Sequence, residues 1–171
     1  MHDERAANLL GATALAVADL VLEGTRQRVG VSASGAAALV ILSTAPGVSV
    51  TELGRRIGLS QPAAARMVDS LEGSGLVRRR PGQGREVAVH LTPGGRATSR
   101  KLLATRGAGL GEVLETLDAG EQEALAGLLG KLLTGLYARN RNAHQLCRLC
   151  DRESCVRGAP CPVGQAERGQ T

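Results

Sequence analysis

Ser49-Val50-Thr51-Glu52-Leu53-Gly54-Arg55-Arg56-Ile57-Gly58-Leu59-Ser60-Gln61-Pro62 is the stretch that decides the fold. Ser49 and Glu52 have the spacing of a capping box, in which a hydroxyl and a carboxylate each satisfy a free backbone N–H at a helix start. The spacing predicts a short helix with Leu53 and Ile57 turned inward. Gly58 ends it, because a residue without Cβ enters the left-handed conformation that a tight corner needs. Ser60 is placed to cap the next helix, and Pro62 suits a first turn, where a missing N–H costs nothing. Ala64, Met67, Val68 and Leu71 then recur at helical spacing. Two short helices joined by such a corner make a helix-turn-helix.

Downstream, Gly73 and Gly75 close the second helix. Leu76 to Arg80 and Arg85 to Leu91, around Pro81-Gly82-Gln83-Gly84, read as two strands joined by a turn. Val87, Val89 and Leu91 alternate with Glu86, Ala88 and His90, which predicts one core face and one face for solvent or a ligand, with His90 on the solvent side. Thr92-Pro93 caps a long helix to about Leu117. Asp118-Ala119-Gly120-Glu121 caps another, with Leu125, Leu128, Leu129, Leu132, Leu133 and Leu136 on one side. Upstream, residues 4–28 form one long Ala-rich amphipathic helix, and a second helix runs from about Ser34 to Thr44, stopped by Pro46-Gly47.

With 171 residues, one Tyr and neither Phe nor Trp, the core must be built from Leu, Val and Ala, which suits packed helices. The fold class is mainly α with a small β-hairpin wing. Apolar stretches such as Gly35 to Leu42 fall far short of the ~18 residues that span a bilayer. The expectation is a cytoplasmic chain with neither anchor nor export signal and no membrane partner. Charge is unevenly spread: residues 49–106 carry eleven Arg and Lys against four acids, whereas residues 1–24 and 107–138 are net negative. A lobe that concentrates positive potential attracts polyanions, so nucleic acid is the first partner implied.

The order of elements resembles the winged helix-turn-helix regulators of the MarR family over about residues 5–140. The specific parts are Val50 to Ser60, the helix Ala65-Arg66-Met67-Val68-Asp69-Ser70-Leu71-Glu72, the wing entry Gly75-Leu76-Val77-Arg78-Arg79, and the wing exit Leu91-Thr92-Pro93-Gly94-Gly95. The resemblance implies a homodimer of obligate type that holds Gln61 to Glu72 in a major groove and the wing tip in an adjacent minor groove of a pseudo-palindromic double-stranded operator. Ser60, Gln61, Pro62, Ala65 and Arg66 would then face DNA. Arg66 can grip a base or a phosphate, and Gln61 can read a base edge. Arg78, Arg79 and Arg80 would serve the backbone, with edge-strand protection as their rival use. At the wing tip the family has Asp-x-Arg; here the matching residues are Gln83, Gly84 and Arg85, so the Arg stays without its acidic partner. The resemblance also implies a small-molecule effector in a cleft between stalk and DNA lobe, with a well-filled interface without a ligand as its rival; a redox effector would belong to the cysteines at the chain's end.

Cys147, Cys150, Cys155 and Cys161 fall at C-x2-C-x4-C-x5-C spacing, and the chain has no other Cys. The family pattern does not require them. Clustered thiols argue for a metal or redox role over a disulfide scaffold. Zinc, an iron–sulfur cluster and a metal-free thiol switch all remain open, with the spacing close to a zinc knuckle and Cys161-Pro162 close to the end of a ferredoxin run. His144 could replace one ligand. Arg148, Arg152 and Arg157, interleaved with the thiols, are expected to favour thiolate.

These readings divide the chain into a dimerisation helix (1–32), a winged lobe (33–92), two dimerisation helices (93–142), the cysteine motif (143–163) and a disordered tail (164–171). The function expected is a DNA-binding transcriptional regulator, a repressor, with a structural zinc or a redox or metal sensor at its end. It is not an enzyme, since no nucleophile–base pair, phosphate loop or cofactor fingerprint is present. The rivals are a thiol or electron-transfer enzyme using the cysteines and a protein-binding winged-helix adaptor.

Overall fold

The computed structural model describes residues 2–82 and 86–169. Its elements are α1 (His2–Val29), α2 (Ala33–Thr44), β1 (Val48–Ser49), α3 (Val50–Ile57), α4 (Gln61–Gly73), β2 (Val77–Pro81), β3 (Val87–Leu91), α5 (Pro93–Leu114) and α6 (Ala119–Asn140). Three short helices follow: α7 (Ala143–Leu146), α8 (Arg152–Cys155) and α9 (Pro162–Arg168).

The lobe is assembled around α2. Every residue from Gly35 to Leu42 is buried, so the helix is apolar on all faces and lies inside the lobe. Leu53 and Ile57 of α3, Met67, Val68 and Leu71 of α4, Val77, Val89 and Leu91 of the sheet, and Leu102 of α5 close around it. Each fully buried aliphatic side chain of this kind contributes about 1.5–3 kcal/mol. The helix-turn-helix corner is as expected, with Gly58 at φ 83°. At the wing exit, Thr92 caps α5 by accepting from the Gly95 N–H and donates its own hydroxyl to the Gly75 carbonyl at 2.7 Å. A Cβ at Gly95 would come within 1.9 Å of the Leu76 oxygen, so this junction admits only glycine.

Several local expectations are corrected. The Ser49 hydroxyl accepts from the Glu52 N–H, but the Glu52 carboxylate is drawn to Arg55 and Arg56 instead of closing the box. Ser60 begins α4 without a side-chain cap bond. The cap of α2 is Ser32. The hairpin is part of a three-stranded antiparallel sheet in the order β1-β3-β2, with Val48 opposite Val89 and Val77 opposite Leu91. Because β3 is the central strand, Ala88 is flanked by Ser49 and Arg80 and is buried, whereas Val87, opposite Pro81 toward the wing tip, is exposed. His90 is half-buried, and its ring lies where a Cβ on Gly47 would touch it.

Two long helices carry open apolar faces. Leu9, Leu10 and Leu15 on α1, and Leu128, Leu129, Leu132 and Leu136 on α6, are exposed, with Leu15 at 71% and Leu128 at 57%. Helix α1 packs on α5, where Leu20 lies beside Gly109. Against expectation, the segment Glu4–Gly24 is long and apolar enough to cross a membrane, a property it shares with core helices of soluble proteins and with signal sequences. The expected disordered tail is also corrected: α9 continues to Arg168. Cys161 caps it with its sulfur, Pro162 occupies the first turn, and Val163 is buried where α9 packs on α6.

Candidate nucleic-acid interface and thiol cluster

Packing Ala64, Met67, Val68 and Leu71 inward leaves one face of α4 open. Ser60, Gln61, Pro62 and Arg66 are exposed on it, and Ala65 is half-buried beside them. Arg66 has neither ion pair nor hydrogen bond among the described residues. The neighbours that could have paired with it along the helix, Asp69 and Glu72, are held by Arg79: Nη2 donates to Asp69 at 2.6 Å, Nη1 donates to Glu72, and the Arg79 backbone N–H donates to Glu72 at 2.8 Å. That backbone bond, then the guanidinium, holds the Glu72 carboxyl below the usual range, and Asp69 raises Arg79.

Arg79 therefore joins β2 to α4 through its ion pairs to Asp69 and Glu72. The reason is geometric, since β2 runs back along α4 and brings position 79 over two acids that sequence separation hides. Arg78 and Arg80 remain exposed on either side of it. Arg85, with Gln83 and Gly84, lies outside the described residues. Sequence reading also missed the Glu52 knot: Arg55 and Arg56 both donate to Glu52 at 2.6–2.7 Å and pull its pKa down to about 2. The i+3 and i+4 spacing was the available signal.

All four cysteines line one cavity of ≈ 320 Å³ with His144. Short capped turns hold them there. The Cys150 N–H returns to the Cys147 carbonyl at 2.9 Å, Asp151 caps α8 and so positions Cys155, and the Cys161 sulfur accepts from the Gly164 N–H at 3.3 Å. Interaction between the two thiols lowers Cys147 and, with burial, raises Cys150. Burial, followed by the charge of Cys150, raises Cys155 to about 11. The interleaved arginines are not among the leading causes of these shifts; Arg106 of α5 is, as the smallest of them.

The donors match zinc or an iron–sulfur cluster in type and number. All four face the same cavity. Among the described residues, no three His, Cys, Asp or Glu side chains already meet as a ligand set. Burial, then the charge of Arg56, lowers the pKa of His144.

A second cavity lies between the end of α2, the sheet and the start of α5, with Arg78, Arg96 and Arg100 in its lining. Ser99 also lines it; its hydroxyl oxygen is buried and has no partner among the described residues. Buried polar atoms are nearly always bonded, so Ser99 is an exception in this cavity, which Arg78, Arg96 and Arg100 also line.

Residues 31–84 match the MarR family. The MarR family protein Rv2887 of Mycobacterium tuberculosis is 27% identical at a TM-score of 0.63, covering 76% of this chain and 95% of that one. MarR of Escherichia coli is 27% identical at 0.63, covering 74% and 96%. A complex of Rv2887 with salicylic acid is 28% identical at 0.55, covering 72% and 95%. No curated protein matches the chain in sequence. The fold is that of the MarR winged-helix proteins, which are transcription regulators and not enzymes.

Proposed function

We propose that two copies of this chain form a cytoplasmic regulator that docks α4 of each copy in successive major grooves of a pseudo-palindromic operator and represses by occupying it. The observation that carries the reading is the state of α4. Its exposed face presents Gln61 and an unpaired Arg66, while Arg79 neutralises the two acids that would repel phosphate. The open leucine faces of α1 and α6 support dimerisation, because exposed apolar patches of this kind are covered in a stable assembly. The same covering favours a dimer interface over a membrane for Glu4–Gly24.

The effector reading is a small carboxylate in the cavity beside Ser99, where three arginines and an unpaired hydroxyl would receive it. A related protein binding salicylic acid supports the ligand class. The four thiols are read as the ligands of one zinc ion that pins the tail. Binding would draw the four sulfurs into a shell and supply folding free energy to a segment with little core of its own. Colourless protein with one zinc per chain supports this site; brown protein containing iron and sulfide replaces zinc by a cluster.

The test of DNA binding uses the full-length protein and the tightest duplex recovered from a random pool, titrated at several salt concentrations. Log affinity should fall linearly with log salt. Arg66→Ala should cost about 1–3 kcal/mol, read as about 10- to 100-fold in Kd. Parent-like binding by that variant overturns the assignment of α4 as the reading helix.

A further inference from the structure

We infer that the thiol module acts as a metal-dependent clamp on the helix-turn-helix corner, so that occupancy of the cysteine site sets operator affinity. This rests on reading the four thiols as a metal site. The module is built directly against the DNA-reading unit. One wall of the thiol cavity comes from the end of α2 (Ile41, Thr44) and from Arg56 of α3, and the facing wall from the cysteines. Two side chains make the connection. The Asn142 amide donates to the Arg55 carbonyl at 3.4 Å, and that carbonyl is one of those a helix end leaves without an internal partner. Gln145 lies across the corner itself: a Cβ on Gly58 would sit 2.6 Å from its Nε2. The Asn142 side-chain oxygen caps α7 by accepting the Gln145 N–H at 3.0 Å, so the two clamp residues are fixed by one short turn.

That turn cannot hold itself. Helices α7 and α8 have four residues each, well below the length at which an isolated helix persists. From Ala143 to Arg168 only Val163 is buried. Order in α7 therefore depends on what joins the cysteines, and Cys147 follows α7 immediately. Arg141, at φ 51°, turns the chain from α6 toward α3, a left-handed conformation that a non-glycine residue keeps only when its surroundings enforce it. With the metal bound, Asn142 and Gln145 stay on the corner; without it the clamp lifts, and α3 and α4 sample other angles.

The experiment compares zinc-loaded full-length protein with the same protein stripped by EDTA under reducing conditions, each checked by elemental analysis. Hydrogen exchange across residues 54–59 is read alongside affinity for the duplex selected with the zinc-loaded form. Stripping should speed exchange at the corner and weaken the duplex by about tenfold, with α2 unchanged. Asn142→Ala/Gln145→Ala should retain one zinc per chain yet behave as the stripped parent in both measurements. If stripping changes neither measurement, or if the double variant responds like the parent, the clamp is wrong and the metal site stands. If the chain takes up neither zinc nor an iron–sulfur cluster, the metal site is wrong and the clamp falls with it.

Discussion

Between Gly35 and Leu42 every residue of the chain is buried, whereas between Ala143 and Arg168 only Val163 is. The lobe excludes water by itself, through aliphatic side chains from α2, α3, α4, the sheet and α5. The tail is ordered by caps: Asn142, Asp151 and Cys161 each satisfy a helix start, and the four cysteines line one cavity between them. Caps and neutral thiol contacts are worth about 1 kcal/mol apiece, too little to order more than twenty residues against chain entropy without a staple. One chain thus joins a unit stable through burial to one that can be conditionally stable, and places the conditional unit on the corner of the other.

The contrast is tested most severely by truncating a buried side chain in each region. Leu39→Ala should cost about 2–5 kcal/mol in urea denaturation, because Leu39 is fully buried in the lobe, while metal content of the folded protein stays unchanged. A cost below about 1 kcal/mol would erase the distinction. Val163→Ala removes the tail's one buried side chain. It should leave the denaturation midpoint within about 0.5 kcal/mol of the parent and instead speed hydrogen exchange over residues 143–168, since the tail opens by itself. A global loss comparable to Leu39→Ala would show that tail and lobe unfold as one.

Within the lobe, the neutralising role of Arg79 can be separated from a direct phosphate contact. Arg79→Ala leaves two carboxylates uncompensated on the reading helix and should weaken duplex binding several-fold; Arg79→Ala/Asp69→Asn/Glu72→Gln should recover it. Failure to recover would show that Arg79 itself touches DNA. The smallest effect concerns pH. Glu52 is held at about 2 by Arg55 and then Arg56, below its ordinary 4.5, so the unfolded chain binds the extra proton between those values. The stability it contributes is complete above pH 4.5 and is lost as pH falls toward 2. Comparing parent with Glu52→Gln at pH 7 and pH 3 should show a difference that shrinks at the lower pH; a constant difference would deny the ion pairs their role.

What could be read from sequence was what local rules determine. Gly58, the 3-and-4 spacing of Ala64 to Leu71, and the Asp118–Glu121 box all act within one or two turns of chain, and the structure has each of them. What escaped depends on distant chain meeting in space. β1 is two residues long and exists because β3 runs beside it. Arg79 finds Asp69 and Glu72 only through the return of β2 along α4. Helix α9 looked like a polar tail because its single anchor, Val163, needs α6 to receive it. At the candidate site, Arg66 and the four cysteines were legible as residues. Their surroundings were not: the acids beside Arg66 are occupied, and the thiols lie against the corner that Gln145 covers.

The central claim, that paired copies of the chain read a duplex with α4, is tested most directly by hydroxyl-radical footprinting of the full-length protein on its selected duplex. The account predicts two protected patches related by a two-fold axis, with centres about one helical turn or a whole multiple apart, both lost in Arg66→Ala. A single patch, or a footprint that Arg66→Ala leaves intact, would contradict it.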